Sequence, residues 1–241
     1  MCTLLAAVHV HPGYPLLVAA NRDERLDRRA SGPRAWTEGP IPFVAPRDEV
    51  AGGTWLGVNA RGLFVAVTNR FGALRDGARR SRGQLVVEAL GHPSAEALHG
   101  WLAQLEVGAF NPFHLLYADR SHAFVTWTDG ERATQATLGP GVHVVTEQSF
   151  REEPVTRARQ LLAGFDALPD KASPEGLFSL LQRHEEADPF AGTCIHAPAF
   201  NYGTRSSAVV LLGDGRRPSR LYASEGPAHA GRLVEHPLYQ P

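Results

Sequence analysis

The stretch Cys2-Thr3-Leu4-Leu5-Ala6-Ala7-Val8-His9-Val10-His11-Pro12-Gly13-Tyr14-Pro15-Leu16-Leu17-Val18-Ala19-Ala20-Asn21-Arg22-Asp23-Glu24 opens the chain directly behind Met1. Two apolar, β-prone runs, 2–10 and 16–20, flank a His-Pro-Gly-Tyr-Pro turn, which is the pattern of an antiparallel hairpin. A turn centred between Pro12 and Gly13 brings Asp23 opposite Cys2, with about one or two residues of slack in register. Cysteine is small enough for an aminopeptidase to remove the methionine before it. A terminal Cys2 would then carry a free amine and a thiol, of ordinary pKa about 8 and about 8.5. One residue would hold a nucleophile and its own base, and the hairpin would return a carboxylate to it.

Working outward, 241 residues allow one large domain, and 1–241 is read as a single one. A net charge of −1 leaves no basic surplus for phosphates, so nucleic acid is not expected as a partner. No apolar run approaches the ~18 residues of a membrane span, and the first residues lack the basic start of a secretory signal. Two cysteines, Cys2 and Cys194, do not make a disulfide scaffold and fit a reducing compartment, so a cytoplasmic location is expected. The eleven histidines show no metal-ligand spacing, and no metal is expected.

A second hairpin is expected from Gly53-Thr54-Trp55-Leu56-Gly57-Val58, a turn at 59–62, and the apolar arm Leu63 to Thr68. Helices are expected after the Ser81 cap, from Pro93 to Leu105, from Pro154 to Phe165, and after the Ser173 cap. Strands are expected at 113–118, 123–128, 132–138, 142–146, 207–212 and 221–223. The Pro- and charge-rich span 23–48 reads as an excursion of the fold, and 188–201 as irregular. Strands and helices come in groups without regular β-α alternation. That disfavours a doubly wound parallel sheet and favours two packed antiparallel sheets covered by helices.

The start Met1-Cys2-Thr3, the tetrad Asn21-Arg22-Asp23-Glu24, Gly52-Gly53-Thr54-Trp55-Leu56-Gly57, Thr68-Asn69 and Tyr202-Gly203-Thr204-Arg205-Ser206-Ser207 together resemble the NRDE family. That family is named for the tetrad and includes the eukaryotic transport and Golgi organisation protein. It in turn resembles the N-terminal nucleophile hydrolases, most closely the choloylglycine hydrolase and penicillin V acylase branch. The resemblance implies an α+β fold, a four-layer αββα sandwich. It implies that Cys2 attacks an amide carbonyl, Asp23 holds the α-amine, Asn69 helps form the oxyanion hole and Arg205 lowers the thiol pKa. The neighbouring motif residues Asn21, Arg22, Trp55, Thr68 and Thr204 are expected around the substrate.

The chain departs from the acylase pattern twice. The acylases carry an arginine three positions before the aspartate, where this chain has Ala20; strand alternation would turn Arg22 away from Asp23. They also carry a second oxyanion asparagine in a mid-chain region that here reads Val145-Thr146-Glu147, and a carboxylate beside a developing oxyanion would oppose it. Glu24 reads as a salt-bridge partner and Cys194 as an inert thiol.

Three functions compete. The first is an amidohydrolase of a small amide or acyl substrate, needing no cofactor. The second is a carrier that holds haem or an acyl-lipid such as acyl-CoA in the same pocket without breaking a bond. The third is an interaction protein with a decayed site, which predicts no cavity of a few hundred Å³ at the motifs. Composition does not set the oligomeric state.

Overall fold

The chain is described by a computed structural model covering residues 2–71, 76–149 and 156–239. The expected helix start at Pro154 lies outside these residues. Among them, fourteen strands form two seven-stranded antiparallel sheets. The first sheet contains β1 (Cys2–His11), β2 (Tyr14–Arg25), β10 (Gly141–Val145), β11 (His196–Ala197), β12 (Tyr202–Leu212), β13 (Arg220–Glu225) and β14 (Val234–His236). Their order is β10-β1-β2-β12-β13-β14, with β11 pairing beside β12. The second contains β3 (Ala30–Trp36), β4 (Phe43–Asp48), β5 (Leu56–Asn59), β6 (Phe64–Asn69), β7 (Phe113–Ala118), β8 (Ala123–Thr128) and β9 (Ala133–Thr137), paired in chain order.

Side-chain alternation builds the layers. On β2, Leu16, Val18 and Ala20 face Phe64, Leu116 and Val125 of the second sheet in a shared central core. Leu17 and Ala19 face outward to Leu161 and Phe165 of α3 (Thr156–Ala167) and to Leu177 and Phe178 of α4 (Pro174–Ser179). The outer face of the second sheet packs Leu63, Val65 and Leu115 against α1 (Arg82–Leu90) and α2 (Ala95–Leu102). The layers are helix, sheet, sheet, helix, as the sequence implied. Ser81, Ser94 and Ser173 cap α1, α2 and α4 with side-chain oxygens. No described helix is long and apolar enough to cross a membrane.

The first hairpin forms with a one-residue correction. Near the turn His11 pairs with Tyr14, but β1 bulges between Val8 and His11, so that Val8 pairs with Leu16, and His9 takes a left-handed φ of 50°. The extra residue sets Cys2 opposite Arg22 rather than Asp23. The span 23–48 is also corrected: it extends β2 and supplies β3 and β4, the edge of the second sheet. An exposed edge strand rich in Ser, Gly, Pro and Arg lacks the buried alternation that marks a strand in sequence. The short strand β14 was likewise not anticipated.

The Gly52-Gly53 pair forms a tight turn against α1. Gly52 has φ +76°, and a Cβ on Gly53 would lie 2.3 Å from the carbonyl carbon of Gly83. Thr54 N–H donates to that same carbonyl group at 3.2 Å. Gly53→Ala is therefore expected to push α1 off the sheet end and cost about 1–3 kcal/mol, read from the denaturant midpoint at constant slope.

Candidate active site

The carboxyl end of β2 distributes the tetrad between two layers. Arg22 continues the inward face of Ala20, whereas Asn21 and Asp23 continue the outward face. Cys2 continues the inward face of Leu4 and Ala6 and is half-buried opposite Arg22.

Asp23 is buried, and its Oδ1 accepts a hydrogen bond from Thr204 Oγ1 at 2.6 Å. Thr204 Oγ1 in turn accepts from Ile195 N–H at 2.9 Å, so its proton is committed to the carboxylate. Asp23 Oδ2 is buried with no hydrogen-bond partner among the described residues. Burial pushes the Asp23 carboxyl up to about 6, against the lowering effect of the Thr204 bond. Burial also pushes the Cys2 thiol up, while the Arg22 guanidinium pulls it down. Tyr202 Oη donates to the Asp23 carbonyl oxygen at 2.8 Å, and burial raises its pKa so that it keeps its proton.

A cavity of about 480 Å³ opens over these groups. Cys2, Arg22, Asp23, Trp55, Asn69 and Tyr202 line it, and residues 79–83 at the α1 N-terminus form part of its rim. A void of this size at the motifs removes the basis of the decayed-site reading. Arg22 lies over the Trp55 ring, 4.3 Å from its centroid. Its Nη2 reaches Asp48 Oδ2 at 3.5 Å, and Arg28 binds the same oxygen at 2.8 Å. Burial disfavours the Asp48 charge, but bonds from Arg28 and from the Ala51 and Val50 N–H groups outweigh it and hold the carboxyl below its usual range.

The structure thus gathers Cys2, Asp23, Asn69, Arg22 and Trp55 around one cavity, with Thr204 behind Asp23. It separates the others. Asn21 is turned away: its Nδ2 donates to the Leu181 and Thr193 carbonyls at 2.9 and 2.7 Å, and its Oδ1 accepts from Ser207 at 2.6 Å. It clamps the α4 layer to the sheet and has no free polar atom for a substrate. Thr68 is buried against His114 Nδ1 at 3.2 Å, on the inward face of β6. Arg205 sits at a bulge between the Thr204–Asp23 and Ser206–Arg22 pairs and lines a different pocket. Burial and the Asp23 charge push the Cys2 thiol up, and Arg22, which lines the cavity beside it, is a guanidinium that pulls it down.

Both departures from the acylase pattern resolve in space. Arg22 shares the inward face of Ala20 two residues further along the strand, so a guanidinium still stands by the thiol. Glu147 does not line the cavity: its carboxylate takes two bonds from Arg157 Nη2, at 3.0 and 2.7 Å, with both side chains 5% exposed. Sequence reasoning did not place Tyr202 or Asp48 at the site. Tyr202 is two residues before Thr204 on one strand, a legible signal; Asp48 joins only through tertiary pairing of β4. Cys194 is buried with its Sγ 3.3 Å from His229 Nδ1, and burial raises its pKa. Among the described residues no group of three or more His, Cys, Asp or Glu could hold a metal ion.

Comparison with known proteins agrees with this fold. The family model described as Transport and Golgi organisation 2 matches residues 1–219. The Transport and Golgi organization protein 2 homolog of Bos taurus is 27% identical over 236 residues, covering 83% of this chain and 82% of that protein. The Homo sapiens homolog is 26% identical over 230 residues, with the same two shares. Among solved structures, an N-acylethanolamine-hydrolyzing acid amidase ortholog of Caenorhabditis elegans superposes with TM-score 0.64 at 10% identity, over 88% of this chain and 93% of that one. Penicillin V acylase from Agrobacterium tumefaciens gives 0.61 at 16%, over 97% and 86%. A conjugated bile acid hydrolase from Clostridium perfringens gives 0.58 at 12%, over 98% and 96%. At these identities the likeness to the solved structures is one of fold, the N-terminal nucleophile hydrolase fold.

Proposed function

Because the chain belongs to the Transport and Golgi organisation 2 family and folds as an N-terminal nucleophile hydrolase does, we propose that its mature form begins at Cys2 and hydrolyses a small amide or acyl substrate. The observation that carries this reading is Asp23. A buried carboxylate with one oxygen unpartnered among the described residues lies at the end of β2, one step beyond the residue facing Cys2. An α-ammonium on Cys2 is the cation such a group needs, because an uncompensated buried charge is costly.

In this scheme the Cys2 sulfur adds to the substrate carbonyl and gives its proton to the α-amine, directly or through a water. Asp23 orients and stabilises the ammonium that forms. Asn69, with a backbone N–H, binds the oxyanion. Collapse breaks the C–N bond, and the leaving amine takes the proton back from the ammonium. Water then cleaves the thioester with the amine as base, releasing the acid and restoring the thiol.

The test is intact mass followed by alkylation of the native protein. The expected result is a chain starting at Cys2, labelled there by iodoacetamide while buried Cys194 is spared. Cys2→Ala should lower turnover of an activated acyl substrate by roughly a thousandfold or more. Retained Met1, or an inert Cys2, overturns the proposal.

A second reading, carriage of haem or an acyl-lipid in the same cavity, is favoured by the segment 145–147, which supplies no asparagine where the acylases have their second oxyanion one. Under it the ligand is recovered unchanged and Cys2→Ala still binds it.

A further inference from the structure

Behind the Arg22–Trp55 pair lies a second pocket of about 190 Å³, set between the two sheets. At about 30 Å³ per water, its volume matches roughly six waters, enough for a small head group. Arg22 and Trp55 line both this pocket and the larger cavity, so they form the wall between them. Arg205, Ser206 and Glu225 line the smaller pocket only.

The polar groups of this pocket are unbalanced. Arg22 is only 4% exposed. Its Nη2 is turned to Asp48, which lines the larger cavity, while its Nη1 is buried without a hydrogen-bond partner among the described residues. Arg205 Nε is also buried with no hydrogen-bond partner among the described residues. Ser206 adds a hydroxyl to the same wall. The one carboxylate lining it, Glu225, is exposed and makes no ion pair among the described residues. Buried cationic donors left unmade are expensive, and two guanidinium groups on one pocket match the geometry of an oxyanion with several acceptor oxygens.

We infer that this inter-sheet pocket binds the anionic head of a small ligand, a carboxylate or a phosphate monoester, between Arg22 and Arg205. The site needs no turnover and stands apart from the hydrolytic reading. Glu225 on the same lining adds a negative charge that opposes an anion there.

The experiment is a calorimetric titration of the full chain with acetate and with inorganic phosphate at constant ionic strength. The wild type is compared with Arg205→Gln and Glu225→Gln, and the unliganded melting midpoint of each is measured. Arg205→Gln is expected to weaken binding by about tenfold or more, the size of a lost charge-assisted hydrogen bond. Glu225→Gln is expected to tighten it. If Arg205→Gln does not fold, the Glu225→Gln result decides alone. The anion that binds more tightly identifies the head group. Absence of saturable binding by either anion, or affinities unchanged in both variants, overturns the inference.

Discussion

Exchanging Asp23 for asparagine is expected to stop turnover and, at neutral pH, to make the fold more stable. The carboxyl has a folded value of about 6 against an ordinary 3.8, so between these values the folded state holds more protons than the unfolded chain. Stability therefore falls as pH rises through this window, and above it the ionised carboxylate is a liability. Asparagine keeps an acceptor for Thr204 Oγ1 and removes the charge. The gain should be on the order of 2 kcal/mol at pH 7–8 and should vanish near pH 4. A free Cys2 ammonium beside the carboxylate would shrink the gain, so its size measures how well the two are paired. Turnover should drop by about a hundredfold or more, because the amine loses the group that orients it as base. Paired denaturation curves at pH 4 and pH 7.5, with an activity assay on the same samples, check both halves. A variant that is active, or less stable than wild type at both pH values, removes the assigned role.

Arg157→Ala is expected to be the most damaging single change to stability. Arg157 and Glu147 are each 5% exposed and joined by two bonds from one nitrogen. Truncating the arginine leaves the enclosed Glu147 carboxyl without its partner, and breaking a buried pair from one side costs about 3–5 kcal/mol. For a chain of this length the melting midpoint should fall by on the order of 10 °C. Replacing both partners together, Arg157→Met with Glu147→Leu, should recover most of the loss, since an apolar pair of similar volume needs no charge compensation. If the double variant melts no higher than the single one, the pair is not what the arginine supports.

The fold was legible where apolar runs carried a clear period. The two hairpins, the serine-capped helices and the strands at 113–128 all follow from local pattern. The edge strands β3 and β14 were not legible, because an edge exposed to solvent has no buried face to alternate, and β4 went with β3 inside the same Pro- and charge-rich span. The site divides the same way. Cys2, Asp23 and Thr204 come together through short-range hairpin geometry and one strand pairing. The displacement of Asn21, Thr68 and Arg205 depended on which face each strand end presents. For Asn21 and Thr68 plain alternation along β2 and β6 sets the face, and for Arg205 a bulge in β12 does, which leaves no trace in composition. Glu147 looked hostile to an oxyanion only because its partner Arg157, ten residues on, could not be paired with it by eye.

The irregularity at His9 reaches far beyond the turn it adjoins. Without the residue absorbed there, strict pairing would set Cys2 opposite Asp23 and turn its sulfur to the outward face, opposite to that of Arg22. Parity along β1, fixed near its distal end, thus chooses which layer receives the thiol. Loop length at the tip of the first ribbon, ordinarily the most forgiving variable in such a fold, is here tied to chemistry at the opposite end of the sheet.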